Sequence, residues 1–187
     1  MKHIHYKSYD YLDKIRNFEF SELNIDYVLN TLKDRYRWPL TYSNKNCPSV
    51  EIIDGDHKKT HFFDGDDYIN SEKIISLYKE GYTLILSICQ SLSEELREIN
   101  KILSIEFDVK DVHMNLYMSK GLKTVSFCPH SHNYDVLVKN VCGKSEWILG
   151  KKNIIFESND IINIPKNVIH GVTKIYSPKL SITCNLF

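Results

Sequence analysis

The chain is predicted to be α+β and mainly β: a compact barrel of the double-stranded β-helix (jelly-roll) type, preceded by N-terminal helices. Three observations predict this. Short apolar runs at 112–118, 122–127, 135–142, 145–149, 160–164, 171–176 and 180–186 are separated by Gly, Pro, Asn and Lys turns. The first half instead carries helical periodicity. The third observation is the pair His130 and His132 in Phe127-Cys128-Pro129-His130-Ser131-His132, joined some forty residues later by His170 at the end of a short apolar run. In an extended segment, residues two apart face the same way, so one strand presents two imidazoles and a return strand a third.

The helices are argued from spacing. A short one is expected around 9–18. Ile25, Val28, Leu29 and Leu32 fall at i, i+3, i+4, i+7, an amphipathic helix over about 24–33. Trp38-Pro39 breaks it. Asp-Gly turns at 54–55 and 64–65 flank a loop-rich region with a strand at 50–53. Ser71 opens a helix closed by Gly81. Residues 82–88 read as a buried strand. A third long helix starts near Ser91 or Ser93, with Leu96, Ile99 and Leu103 as its apolar stripe. No linker separates independent units, so 1–187 reads as one domain, a helical part over 1–105 and a β core over 106–187.

Composition narrows the function. Lys plus Arg and Asp plus Glu both number 24, so no basic footprint for nucleic acid or a membrane surface is expected. Five scattered cysteines without a C-x-x-C pair argue against a disulfide framework or a cysteine zinc site. No leader-like or membrane-length apolar run occurs, and a cytoplasmic setting is the expectation. A second H-x-H, His3 and His5, stands at the terminus without a third partner. For His130, His132 and His170, three neutral imidazoles suit Fe, Zn, Cu, Ni or Co and leave positions open on the ion.

From about Leu23 to Phe187 the chain resembles the cupin-like JmjC oxygenases, especially the ribosomal-oxygenase branch. The residues that carry this are Gly81-Tyr82-Thr83-Leu84 before a helix, Asn115-Leu116-Tyr117, His130 to Val136, Gly143 to Trp147, and Pro165 to His170 followed by a last strand. The resemblance implies a cupin barrel holding Fe(II), with 2-oxoglutarate as the usual co-substrate and His130, His132 and His170 as metal ligands. It implies co-substrate contacts from Asn115, Tyr117, Ser145, Thr183 and Lys144. Two departures stand out. The family's second ligand is an aspartate, here His132. Its basic residue for the distal carboxylate falls here on Ser145, with Lys144 one position earlier, where strand parity turns a side chain to the other face. Lys123 and Lys139 are weak substitutes.

Asp135 is expected to support the ligands from behind, and Ser181, Thr183 and Asn185 share one face of the last strand, toward the pocket. Cys128 and Cys142 read as core thiols, and Trp147 as a core residue. The expected function is a hydroxylase acting on a peptide, protein or small metabolite. The alternatives are a three-histidine cupin that chelates its substrate directly without 2-oxoglutarate, and a non-catalytic cupin binding module. Oligomeric state has no sequence signal here.

Overall fold

A computed structural model describes residues 10–33, 50–60, 62–63, 69–109, 112–124 and 126–187. The elements are α1 (Asp10–Arg16), α2 (Ile25–Lys33), β1 (Val50–Ile53), β2 (Lys59–Thr60), α3 (Ser71–Glu80), β3 (Thr83–Ser87), α4 (Glu94–Phe107), β4 (His113–Ser119), β5 (Asp135–Cys142), β6 (Ser145–Leu149), β7 (Lys152–Phe156), β8 (Ile161–Ile164), β9 (His170–Ile175) and β10 (Lys179–Leu186). The helix ends follow local chemistry. The Asn70 side chain accepts the Lys73 N–H at the start of α3, and Gly81, at φ 108°, closes it in the left-handed region. Ser93, not Ser91, caps α4. The turn at 64–65, the break at 38–39 and the terminal His3/His5 pair lie outside the described residues.

Two antiparallel sheets face each other. The larger runs β2-β1-β3-β4-β10-β5-β8 and the smaller β7-β6-β9. A bridge between His130 and His170 adds a one-residue fourth strand beside β9. From β4 onward the chain visits large, small, large, small, small, large, small and large sheet in turn, which is the winding of a double-stranded β-helix. The predicted barrel is therefore present, and its strand order is that of the cupin fold.

Strand parity decides what each face buries. Met114, Leu116 and Met118 of β4 and Leu180, Ile182 and Cys184 of β10 turn outward onto Ile74 and Tyr78 of α3 and Leu96, Ile99 and Leu103 of α4. Inside the barrel, Val136, Val138, Trp147, Phe156, Ile164 and Val172 form a second, smaller core between the sheets. The space this core leaves unfilled is the cavity described below.

Two expected elements differ. Within 122–127 the described residues form no strand: Leu122 and Lys123 are exposed, and Thr124 is turned inward by bonds from its side chain to the Ile53 carbonyl and from the Thr83 N–H to its hydroxyl. Conversely β7 was not expected. It is an edge strand with three of five residues exposed, and its apolar residues Ile154, Ile155 and Phe156 run together without alternation.

Lys139 is nearly fully buried on the outer face, away from the cavity, which removes it as a stand-in for the family's co-substrate lysine. Its Nζ donates to the Arg16 carbonyl at 2.8 Å, just at the end of α1, and to the Asn159 carbonyl at 2.9 Å. Burial lowers its pKa. Lys139 thereby ties α1 to the barrel 123 residues away. Lys139→Met leaves both carbonyls without this donor and is expected to cost about 1–3 kcal/mol, read by urea unfolding, with faster amide exchange in α1 than in β4.

Candidate metal centre and cavity

Pro129 and Gly171 set the ligand strands side by side. A Cβ on Gly171 would come within 3.0 Å of the Pro129 Cα, so a residue with a side chain there would push β9 away from the histidine segment. The closeness lets His130 and His170 exchange backbone hydrogen bonds, His130 N–H to His170 carbonyl at 3.0 Å and the reverse at 2.8 Å. Extended spacing then brings His132 round to the same side. The Asn167 N–H fixes that end by donating to the His132 carbonyl at 2.7 Å.

One ligand atom from each of the three rings lies within 4.8 Å of the others. The donor set is ready for a cation. Nδ1 of His130 donates to the Cys128 carbonyl and Nδ1 of His170 to the Val168 carbonyl, each at 2.9 Å. A carbonyl only accepts, so both Nδ1 atoms carry hydrogen and both Nε2 lone pairs are free. Burial, and then the neighbouring histidines, lower the pKa of His132; burial and His130 lower that of His170. Both rings resist protonation, as metal ligands must. Tyr134 stacks on His132 at 4.8 Å and 13°, and Phe187 meets the Tyr134 ring at 4.7 Å, tilted by 56°. These residues fit a divalent metal ion.

The three rings open on a cavity of about 640 Å³ between the sheets. Asn115, Tyr117 and Thr183 line it, as do Ser181 and Asn185, so the alternating polar face of β10 turns inward. Asn115 Oδ1 accepts the Ile88 N–H at 3.2 Å, and Ser181 donates to Asn140 Oδ1 at 2.9 Å. Burial pushes the Tyr117 hydroxyl pKa upward, with smaller contributions from Tyr134 and Glu51.

The other expected co-substrate residues lie elsewhere. Lys144 stands one residue before β6, outside the cavity, exposed and paired with Glu157 at 2.6 Å. Ser145 faces inward but is fully buried behind the wall, where its Oγ accepts the Trp147 indole N–H at 3.0 Å. Asp135 accepts the Lys166 backbone N–H at 2.8 Å and so steadies the turn before His170 rather than an imidazole. Cys128 is exposed at the cavity wall, not in the core, and Cys142 is half-buried. Trp147 is core and wall at once.

Sequence reasoning missed two residues. Lys179, the first residue of β10, is 2% exposed and lines the cavity, its Nζ 4.9 Å from the centre of the Trp147 ring. Burial alone brings its pKa down to about 7. Parity could have found it, since Lys179 continues the series Ser181, Thr183, Asn185. His57 also lines the cavity. Its Nδ1 donates to the Ser126 carbonyl at 2.6 Å, and its backbone sits at φ 60°, an uncommon place for a histidine. No pattern in the sequence marked it.

No family model matches the chain, and no curated protein sequence matches it. Solved structures do. A structure described as that of DMSP lyases is 16% identical with a TM-score of 0.37, over 42% of this chain and 40% of that one. A cupin superfamily protein from Desulfitobacterium hafniense is 16% identical with a TM-score of 0.37, over 41% of this chain and 67% of that one. KdgF from Halomonas sp. is 19% identical with a TM-score of 0.35, over 41% and 70% respectively. Strand order and converging histidines together define a cupin barrel with a candidate metal-binding site. Among the described residues no helix is long and apolar enough to cross a membrane.

Proposed function

We propose that this protein is a non-haem Fe(II)-dependent oxygenase that uses a 2-oxoacid dianion, 2-oxoglutarate in the first instance, to hydroxylate a peptide, protein or small metabolite. The observation that carries the reading is the joint presence, in one cavity, of three converging imidazoles and a buried lysine with no carboxylate of the described residues lining the cavity beside it. A buried ammonium without a partner is costly, so a lysine here calls for an anion from outside the chain. A 2-oxoacid dianion answers both features, offering a chelating end to a metal and a distal carboxylate to Lys179. Lys179 thus fills from β10 the role that Ser145 of β6 and Lys144, one residue before it, cannot fill. Bound iron would supply the activation of O₂. The chain's own residues hold the ligands, place the distal carboxylate, and keep the site partly dry with Val136, Val138, Trp147 and Val172.

The test is anaerobic Fe(II) titration with and without 2-oxoglutarate, after metal analysis of protein purified without added metal. A visible charge-transfer band that saturates with the oxoacid supports the reading. Stoichiometric metal without that band overturns oxoacid use. A ligand group made, among the described residues, of histidines alone favours one second reading, in which the substrate itself chelates the ion and 2-oxoglutarate is not used. O₂ consumption indifferent to added 2-oxoglutarate would select it.

A further inference from the structure

We propose that the loaded cavity holds, beside the oxoacid, one further small anion, and that the substrate presents an anionic group, a carboxylate in the first instance, to this site. The inference rests on the oxygenase reading above and adds a substrate class to it.

The cavity wall, among the described residues, includes Lys59, Lys179 and four histidines but no aspartate or glutamate. The chain as a whole carries 24 acidic side chains against 24 basic ones, so this is a local exclusion and not a scarcity of acids. Lys59 is accounted for, since Glu51, a mostly buried residue of β1, pairs with its Nζ at 2.9 Å. His57 and His130 each spend one ring nitrogen on a backbone carbonyl. Among the described residues, no carboxylate in the cavity wall offsets the charge of Lys179 or of whatever ion the three histidines hold.

The charges can then be counted. Neutral imidazoles leave a divalent ion both of its positive charges, and a protonated Lys179 adds a third. An oxoacid dianion cancels two of the three. A centre with an aspartate at position 132 would come out neutral, but with His132 one positive charge is left over in a partly buried space, where Coulomb interactions are weakly screened. A neutral substrate leaves that charge standing, whereas a monoanionic one cancels it. The same bookkeeping repels a cationic substrate.

The probe is azide. Protein loaded with Co(II) and saturated with 2-oxoglutarate is titrated with sodium azide at constant ionic strength, and the visible Co(II) absorption is followed. A saturable change at one azide per protein is expected, and His132→Asp should retain cobalt while binding azide at least tenfold more weakly. Equal azide affinity in the two proteins overturns the inference. Competition by acetate separates the sources: displacement of azide by acetate supports a substrate carboxylate, whereas displacement by chloride alone makes this a halide site and overturns the substrate class. Cobalt uptake with an oxoacid response but no azide response sinks this inference and leaves the oxygenase reading standing. Failure to take up cobalt sinks both.

Discussion

His170→Ala is expected to lower metal affinity by more than about 100-fold, the upper range for losing even an outer partner of a metal ligand. His170 is the most buried of the three candidate ligands, at 5% exposed. It alone sits within a full strand of the small sheet, so neither of the others can move to replace it. Two neighbouring imidazoles from one extended segment make an ordinary surface chelate. The third turns that chelate into a closed face. Metal content after gel filtration, and competition with a chromophoric chelator, give the measurement. Circular dichroism should be unchanged, because the backbone bonds of the His130–His170 bridge do not involve either side chain.

Lys179→Met is expected to do two things in opposite directions. Oxoacid affinity for the metal-loaded protein should fall by about 10–100-fold, the size of a lost charged hydrogen bond. Stability without ligand should rise, because a methionine fills the space beside Trp147 without an ammonium to desolvate. The sign with pH follows from the depressed pKa. Below about 10.5 the unfolded chain takes up a proton that the folded lysine refuses until about 7, so this residue makes wild-type stability fall as pH falls through that window and level off beneath it. The buried tyrosine and cysteine groups whose pKa values are raised, Tyr78 to about 12 and Cys184 to about 12, pull the other way at alkaline pH. The difference between wild type and Lys179→Met therefore isolates the lysine. Melting temperatures from pH 6 to 10 should converge toward the alkaline end, and parallel curves would refute the assignment.

The site's two halves were unequally legible. The histidines were readable because a period of two and a return strand are written directly in the sequence, as Pro129-His130-Ser131-His132 and Pro165 to His170. Ser181, Thr183 and Asn185 were readable for the same reason. Lys179 falls one residue outside the strand expected at 180–186, whereas β10 begins at Lys179, directly after Pro178. The polar alternation was present, but a lysine beside a proline reads as a turn. Lys144 shows the reverse case, a residue whose chemistry fitted a role that its position denied. His57 could not have been found, since it reaches the wall through tertiary contact between the β1–β2 turn and the segment before Pro129. Among the elements, β7 escaped because its apolar residues, Ile154, Ile155 and Phe156, run together instead of alternating, and 122–127 misled because Leu122 is exposed in a connection.

At one place the small sheet is completed by a single residue. Where a full strand would stitch itself to β9 along its length, His130 offers a single pair of backbone bonds. Two of the three imidazoles hang on that short stitch and the third stands across it on β9, so the histidines straddle a seam. An ion bound there would be a rivet: it would join the two sides of the barrel wall at a spot where one pair of backbone bonds joins them. Capturing the metal and closing the vessel would then be a single event, and the empty protein would be the one whose wall is easiest to part.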